Sequence, residues 1–383
     1  MSDLALGRPA VASDAADLTV RLAADGAALA ALLPEWVALA EFAAAPAFLL
    51  PLWIAAWWRH LGAAGGMRLR IATAWRGGRL VAVLPLAIRR EAWGRRLQWA
   101  GTDVIDLPDA LIHPAEDPGP CLDALWRAVR RGGGWDLADL SDVAPDGKAA
   151  AWAATRLRRH GAPAECYIFD LPEGSWLKAQ GSLYKRGVPR AEKRLAAMGD
   201  VVLRRAETAE DAVRATAALA EQKAAWMAAN GLDGALARPG AAAYLAEVAT
   251  GLLARGLLEL HWVECGGRIA AVVFGVRLGG TLGIYVQSYH RDFASAGAGK
   301  FMLGRLFEAA RGAGFARVDM LRGDEAYKRE LTEATVPLHR FVAGRGPWGL
   351  AAAVALRFGQ TPGGRRLRAA LRRAAAPAVP DPA

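Results

Sequence analysis

The chain has 383 residues, 54% of them hydrophobic and 14 of them Trp, which excludes a disordered protein and leaves room for two domains of ordinary size. Forty-eight Lys and Arg against 38 Asp and Glu give a formal net charge of +10, suited to anionic ligands such as a nucleotide, RNA or an acidic membrane face. Eight Arg and one Asp from residue 340 onward carry about +7 of it, which argues against nucleic-acid binding by the protein as a whole.

Hydrophobic periodicity predicts a strand at 18–24, helices near 28–42 and 51–61, and strands at 67–76, 79–89 and about 96–112. A helix at 121–133, a strand at 135–140, a helix at 148–160 and a strand at 164–171 follow. The Trp cluster at 53, 57 and 58 has the helical spacing of a core face. A helical stretch over 175–198, basic at Lys185, Arg186, Arg190, Lys193 and Arg194 and interrupted by Pro189, leads into a similar series. That series has a strand at 200–206, helices at 209–230 and 241–256, and a meander of strands at 258–265, 268–278 and 281–288. A helix at 299–314, a strand at 316–321, a short helix near 325–331 and a strand at 337–343 complete it.

Two echoes suggest that the chain is written twice. Trp75–Val83 (WRGGRLVAV) is repeated by Glu264–Val272 (ECGGRIAAV) at an offset of 189, each reading as a hairpin about a Gly-Gly turn. Gly134–Leu140 is repeated by Gly314–Met320 at an offset of 180. The expected division is a degenerate N-terminal domain (1–172), a linking basic helical segment (173–198), a C-terminal catalytic domain (199–344) and a basic helical tail (345–383). The copies differ at the link into their later helix. In the second it is Ser295-Ala296-Gly297-Ala298-Gly299-Lys300, small residues that let backbone N–H groups meet phosphate oxygens at a helix N-terminus. In the first it holds Glu116, Asp117, Pro118 and Pro120, which repel phosphate or lack the donor. If one half binds a nucleotide, it is the second.

The richest segment is Asp319–Lys328 (DMLRGDEAYK), which crowds two carboxylates, a guanidinium, a phenol and an amine into a strand-to-helix turn. Acyl transfer needs a carboxylate to accept a proton from the nucleophile and a weak acid to protonate the leaving group. The cysteines Cys121, Cys166 and Cys265 lie far apart and the six His show no ligand spacing, so neither a disulfide frame nor a metal site is expected. Acids at Asp3, Asp14 and Asp17 and the lack of a long apolar run predict a cytoplasmic protein without signal peptide or membrane span.

The element order resembles the GNAT acyltransferase fold. The duplication together with the 319–328 string resembles the FemAB/CelD branch, also called the BioF2-like acetyltransferase domain. The basic helix, Trp226 before Asn230-Gly231, the strand bearing Tyr285, Gln287 and Ser288, and the run at 47–58 are similar too. Ala326 stands where that family usually has Pro. The resemblance implies tandem α/β domains, each a mixed, mainly antiparallel sheet flanked by helices. It implies an acyltransferase using acetyl-CoA or another acyl-CoA, without metal, on a polysaccharide or cell-envelope precursor. Relatives in the Fem branch draw on aminoacyl-tRNA instead.

On this reading Asp324, ahead of Glu325, is the candidate general base, or else a helix cap. Tyr327 is the candidate acid for the departing thiolate, or an aromatic anchor. Gly297, Ala298, Gly299 and Lys300 would cradle a diphosphate. Tyr285 and Gln287 alternate to one face of their strand and would line an acyl channel and the acceptor site, respectively, or else pack in the core. Arg322 would grip an acidic group or pair with Asp324, and Lys328 would reach a phosphate or remain solvated. Lys185, Arg186 and Trp226 would hold an anionic acceptor, or tRNA under the alternative. The tail, apolar over Trp348–Phe358 and then rich in Arg from Arg365, could lie on an anionic membrane at the inner face of the cytoplasm. A non-catalytic scaffold for envelope assembly is the third reading.

Overall fold

The computed structural model describes residues 18–347, 349–351 and 353. The tail, with its apolar run and its arginines, falls almost wholly outside the described residues. The first half comprises β1 (Thr19–Ala23), α1 (Gly26–Phe42), α2 (Pro51–Trp57), β2 (Arg68–Arg76), β3 (Arg79–Glu91), β4 (Gly94–Trp99) and β5 (Leu111–Ile112). It continues through α3 (Pro118–Gly132), β6 (Leu137–Val143), α4 (Lys148–Arg156), β7 (Arg158–Arg159) and β8 (Ala164–Asp170). Asp25 starts α1 by accepting the Ala28 N–H at 2.8 Å. A π-helical turn, Trp58–Gly62, extends α2.

Three short helices, α5 (Trp176–Ala179), α6 (Ser182–Lys185) and α7 (Gly187–Ala196), stand where one helical stretch was predicted. Pro189 does not interrupt a helix. It falls in the first turn of α7, where a missing N–H costs nothing. The second half comprises β9 (Val201–Arg205), α8 (Ala209–Ala229), α9 (Ala241–Leu253), β10 (Leu258–Cys265), β11 (Arg268–Leu278), β12 (Thr281–Tyr289), α10 (Ala298–Ala310), β13 (Arg317–Arg322), α11 (Ala326–Arg329) and β14 (Thr335–Gly344). A capping box between Thr208 and Asp211 fixes the start of α8.

The strands form one sheet in the order β1-β2-β3-β4-β6-β14-β8-β13-β12-β11-β10-β9, with β5 on β3 and β7 on β14. The order reads the same from both ends once the halves are matched, except that the last strands are exchanged. β8 pairs with β13 of the second half, β14 pairs with β6 of the first, and β8 and β14 pair with each other at the centre. Each half therefore completes the other's sheet.

The strand predicted at 96–112 is interrupted. β4 ends at Trp99, and β5 resumes against β3 at Ala82 and Val83. Matching the hairpins aligns Trp99 with Ile284, Leu111 with Ser288 and Ile112 with Tyr289. Eleven residues, 100–110, thus stand where the second half has three.

One buried cluster lies between the halves, joining Trp36, Trp53 and Trp57 to Leu219, Tyr244, Leu245 and Phe274. Gly240 lies at φ +92° beside α2, and a Cβ there would overlap the carbonyl oxygen of His60. Separate clusters fill the outer face of each half, under α3 and α4 in the first and under α5, α7 and α10 in the second.

Candidate active site

β12 and β13 run parallel but pair only at Thr281–Gly283 and Arg317–Asp319. Beyond that point β13 bulges against β8. Leu321 takes a left-handed backbone (φ 52°), and Asp319 Oδ1 steadies the bend by accepting the Leu321 N–H at 2.7 Å. The strands part and leave a cavity of about 280 Å3. Its walls are Tyr285, Gln287 and Tyr289 of β12, Arg322, Glu325, Tyr327 and Lys328 of the turn after β13, and Lys223 and Trp226 of α8.

Tyr285 and Gln287 do not share a strand face as expected. The β11–β12 register skips Tyr285 between Ile284 and Val286, so it is the extra residue of a β-bulge. The bulge turns Tyr285 toward the core between the halves, against Phe48, Trp53 and Phe274. Its hydroxyl donates to the carbonyl of Val104. Gln287 instead hydrogen-bonds Tyr327. Burial pushes the Tyr285 and Tyr327 phenols well above the usual tyrosine range, so both are protonated at neutral pH.

Arg322 does not pair with Asp324. It reaches the first half, where Nε meets Asp106 Oδ1 at 2.5 Å, and Nη1 donates to Asp142 Oδ2 at 3.1 Å and to the Thr102 carbonyl at 2.7 Å. Asp142 is the left-handed residue of the β6 bulge (φ 59°), the place that Leu321 holds in β13, so the bulge of one half carries an acid that pairs with the strand end of the other. Asp106 lies in the inserted loop and is buried. Desolvation pushes its carboxyl up to about 6, although Arg322 draws it down. These acids were not singled out in the sequence, since 216 and 180 positions separate them from Arg322.

The turn after β13 distributes its groups unevenly. Asp324 is exposed and does not line the cavity. Its carboxylate is held by Arg329 (Nε to Oδ1, 2.9 Å) and by the Tyr167 hydroxyl (2.9 Å), which keep it below the usual range. It does not cap α11; Glu325 occupies that position without a side-chain cap bond. Glu325 does face the cavity, with Oε2 3.0 Å from Lys328 Nζ. Lys328 is neither solvated nor free for a phosphate. It is 3% exposed and its ammonium donates to the Arg322 carbonyl at 2.7 Å, tying off the end of β13.

Lys223 was also missed. Its ammonium lies 4.6 Å from the Trp226 ring centroid, and burial lowers its pKa against the pull of Glu325. It makes no hydrogen bond to any described residue, which leaves it an available cation in the cavity wall.

The N-terminus of α10 opens beside this cavity: a Cβ on Gly299 would sit 3.0 Å from the ring of Tyr289. Gly297 enters the helix in the left-handed region (φ 84°), and no side chain caps the first-turn amides of Ala298, Gly299 and Lys300. These donors fit a diphosphate. Lys300 turns away, its ammonium 5.3 Å from the Tyr184 ring centroid. α7 crosses α10 closely enough that a Cβ on Gly304 would overlap Val188. Lys185 and Arg186 are exposed on α6 and just beyond it, and neither lines the cavity. The three cysteines are buried free thiols, pushed up chiefly by desolvation (Cys121 to about 11), which makes them poor nucleophiles. Among the described residues no His, Cys, Asp and Glu cluster has the geometry to hold a metal.

Residues 183–329 match the sequence model of the family described as "Acetyltransferase (GNAT) domain". No curated protein sequence matches the chain. Among solved structures, it is similar to the C-terminal domain of a protein named as a candidate lysylphosphatidylglycerol synthetase from Agrobacterium fabrum. The identity is 13% and the TM-score 0.53, over 87% of this chain and 99% of that one. L-PGS from Bacillus licheniformis is similar at 11% identity and a TM-score of 0.52, over 85% and 95%. A tandem GNAT protein from the clavulanic acid biosynthesis pathway shows 17% identity and a TM-score of 0.47, over 86% and 99%. The chain is a mixed α/β protein of two GNAT-like halves, and its residues 183–329 are similar to the GNAT acetyltransferase domain.

Proposed function

We propose that the protein transfers an acyl group from acyl-CoA to an amine or hydroxyl of a polysaccharide or cell-envelope precursor. The observation that carries this reading is the opening between β12 and β13, which adjoins the uncapped N-terminus of α10 and receives Glu325 and Tyr327. The diphosphate of the donor lies over the amides of residues 298–300. The acceptor attacks the thioester carbonyl directly: a C–N or C–O bond forms, the C–S bond breaks, and no acyl-enzyme intervenes. Glu325, through water, takes the acceptor's proton, and Tyr327 gives one to the leaving thiolate. Lys223 attracts an anionic group of the acceptor. Arg322 is a positioning residue that joins this turn to the first half.

Calorimetric titration with acetyl-CoA, longer acyl-CoAs and free CoA tests the donor. Saturable binding that Gly299→Asp abolishes supports the reading, and no binding of any CoA species overturns it. Transfer from aminoacyl-tRNA is the second reading, favoured by the exposed Lys185, Arg186, Arg190 and Lys193 next to α10. Salt-sensitive tRNA binding without CoA binding would establish it. Among the described residues no helix is long and apolar enough to cross a membrane. The reading places the protein in the cytoplasm, with its basic tail touching the inner membrane face.

A further inference from the structure

The first half holds a cavity of about 530 Å3 at the place where the second half holds its candidate active site. The correspondence follows from register. Leu111 and Ile112 of β5 occupy the positions of Ser288 and Tyr289, and His113 that of His290. Residues 145–148 follow β6 as 325–328 follow β13. Ala43 and Ala45, just beyond α1, stand near where α8 presents Lys223 and Trp226.

The chemistry is different. Phe48, Leu49, Leu107, Leu111, Ala144 and, from the second half, Leu278 form the apolar walls; Asp109, Glu116 and His113 are already engaged, and Asp146 and Lys148 line the cavity as exposed side chains. Asp109 accepts the N–H groups of Ala110, Lys148 and Ala149 at 2.5–2.8 Å. Glu116 pairs with Arg76 at 2.8 Å, and His113 stacks on Phe42 at 4.4 Å. The adjoining helix α3 offers no anion site, because Asp117 caps Gly119 and prolines stand at 118 and 120. The cleft is open on the side of Asp146 and Lys148, and its inner wall, apolar and without a free polar partner, selects an apolar occupant.

We infer that this cavity binds an aliphatic chain. The inserted loop 100–110 carries both surfaces: Leu107 and Asp109 line the cavity, while Thr102 and Asp106 hold Arg322 of the candidate active site. Phe48, in the cavity wall, lies 5.9 Å from the ring of Tyr285, in the wall of the other. An aromatic partition about two rings thick thus separates the two spaces. The chain comes from a lipid-linked acceptor or from the acyl group of the donor. The assignment of the chain to donor or acceptor rests on the acyl-transfer reading, whereas its binding in the cavity rests on the lining alone.

The test is calorimetry on the full chain with dodecyl phosphate below its micelle concentration. The wild type should bind at one saturable site. Ala144→Phe and Ala45→Phe, which fill the cavity from two walls, should each weaken binding tenfold or more while leaving CoA binding unchanged. Photolabelling with a diazirine-bearing dodecyl phosphate should mark the 107–113 segment. Competition by palmitoyl-CoA, but not by acetyl-CoA, assigns the chain to the donor; competition by neither assigns it to the acceptor, and both results keep the chain in the cavity. No saturable binding, unchanged affinity in both filled variants, or labelling confined to other segments overturns the inference. Loss of CoA binding with dodecyl phosphate binding intact would instead count against the proposed donor and leave the cavity standing.

Discussion

The two halves share strand order, hairpin turns and a bulge, after Leu140 in one and Asp319 in the other, and they diverge where their fourth strands end. In the second half β12 runs on to Tyr289 and leaves a polar opening walled by Lys223, Glu325 and Tyr327. In the first, eleven residues in place of three break the strand, its wall is Leu111 and Ile112, and the adjoining helix is capped by Asp117. The insertion is not idle, because its Asp106 and Thr102 hold Arg322. One copy carries the donors and acids of the candidate active site. The other has become its buttress, and the exchange of β8 and β14 makes each half structurally dependent on the other.

The sharpest break in this arrangement is Arg322→Met. It strands Asp106 and Asp142 in the interior without their cation, and losing one side of a buried ion pair costs about 3–5 kcal/mol. Asp142→Asn, in the β6 bulge of the first half, leaves Arg322 with Asp106 and the Thr102 carbonyl and should cost about 1–2 kcal/mol. Urea unfolding of the two variants measures the asymmetry. Equal losses would mean that Arg322 is not the hub.

Asp106 gives the same cluster a pH signature. Its carboxyl is raised from the ordinary aspartate value to about 6, so the stabilisation it supplies as the neutral acid is complete below its unfolded value and fades as pH rises through 6. Relative to Asp106→Asn, the wild type should therefore lose about 3 kcal/mol of unfolding free energy between pH 3.5 and 7. Taking the difference between the two proteins cancels groups that titrate the other way, such as Asp123, which Arg156 holds at about 2. A pH-independent difference would place Asp106 in water.

Much of this architecture was legible in the sequence. The Gly-Gly hairpins and the repeated strand before Asp139 and Asp319 gave the duplication, since turn chemistry and period-2 patterning are local. The exchange of β8 and β14 was not legible, because an edge-to-centre strand carries the same alternation whichever sheet it joins. The insertion was hidden because Val104, Ile105 and Leu107 continue an apolar rhythm that reads as strand. The polar cluster at 322–328 was found, but its internal assignment was not. Only the bend at Leu321 decides that Asp324 faces Arg329 and Tyr167 while Glu325 faces the cavity, and only the bulge separates Tyr285 from Gln287.

That assignment yields a contrast between neighbours. Glu325→Gln should lower kcat about 100-fold, the usual scale of general-base loss. Asp324→Asn should change it less than about threefold, since that carboxylate contacts no wall of the cavity. Steady-state turnover with acetyl-CoA and a surrogate amine decides. A large effect at Asp324 and none at Glu325 would restore the order that the sequence favoured and move the base to the outer face of the turn.

The mildest comparison is between two glycines at offset 180, Gly119 in α3 and Gly299 in α10. Each lies in the first turn of its helix, where alanine is the better helix former by up to about 1 kcal/mol. A Cβ at Gly119 would meet only Asp117 Oδ1, at 3.5 Å. A Cβ at Gly299 would press on the Tyr289 ring at 3.0 Å, on the side that opens to the cavity. Gly119→Ala should leave kinetics untouched and raise stability by a few tenths of a kcal/mol. Gly299→Ala should raise the KM for acyl-CoA about three- to tenfold, with kcat nearly unchanged, because it crowds the approach to the amides without touching Glu325 or Tyr327. If the two substitutions behave alike, the N-terminus of α10 is an ordinary helix start, and the distinction between the halves rests on the Arg322–Lys328 turn alone.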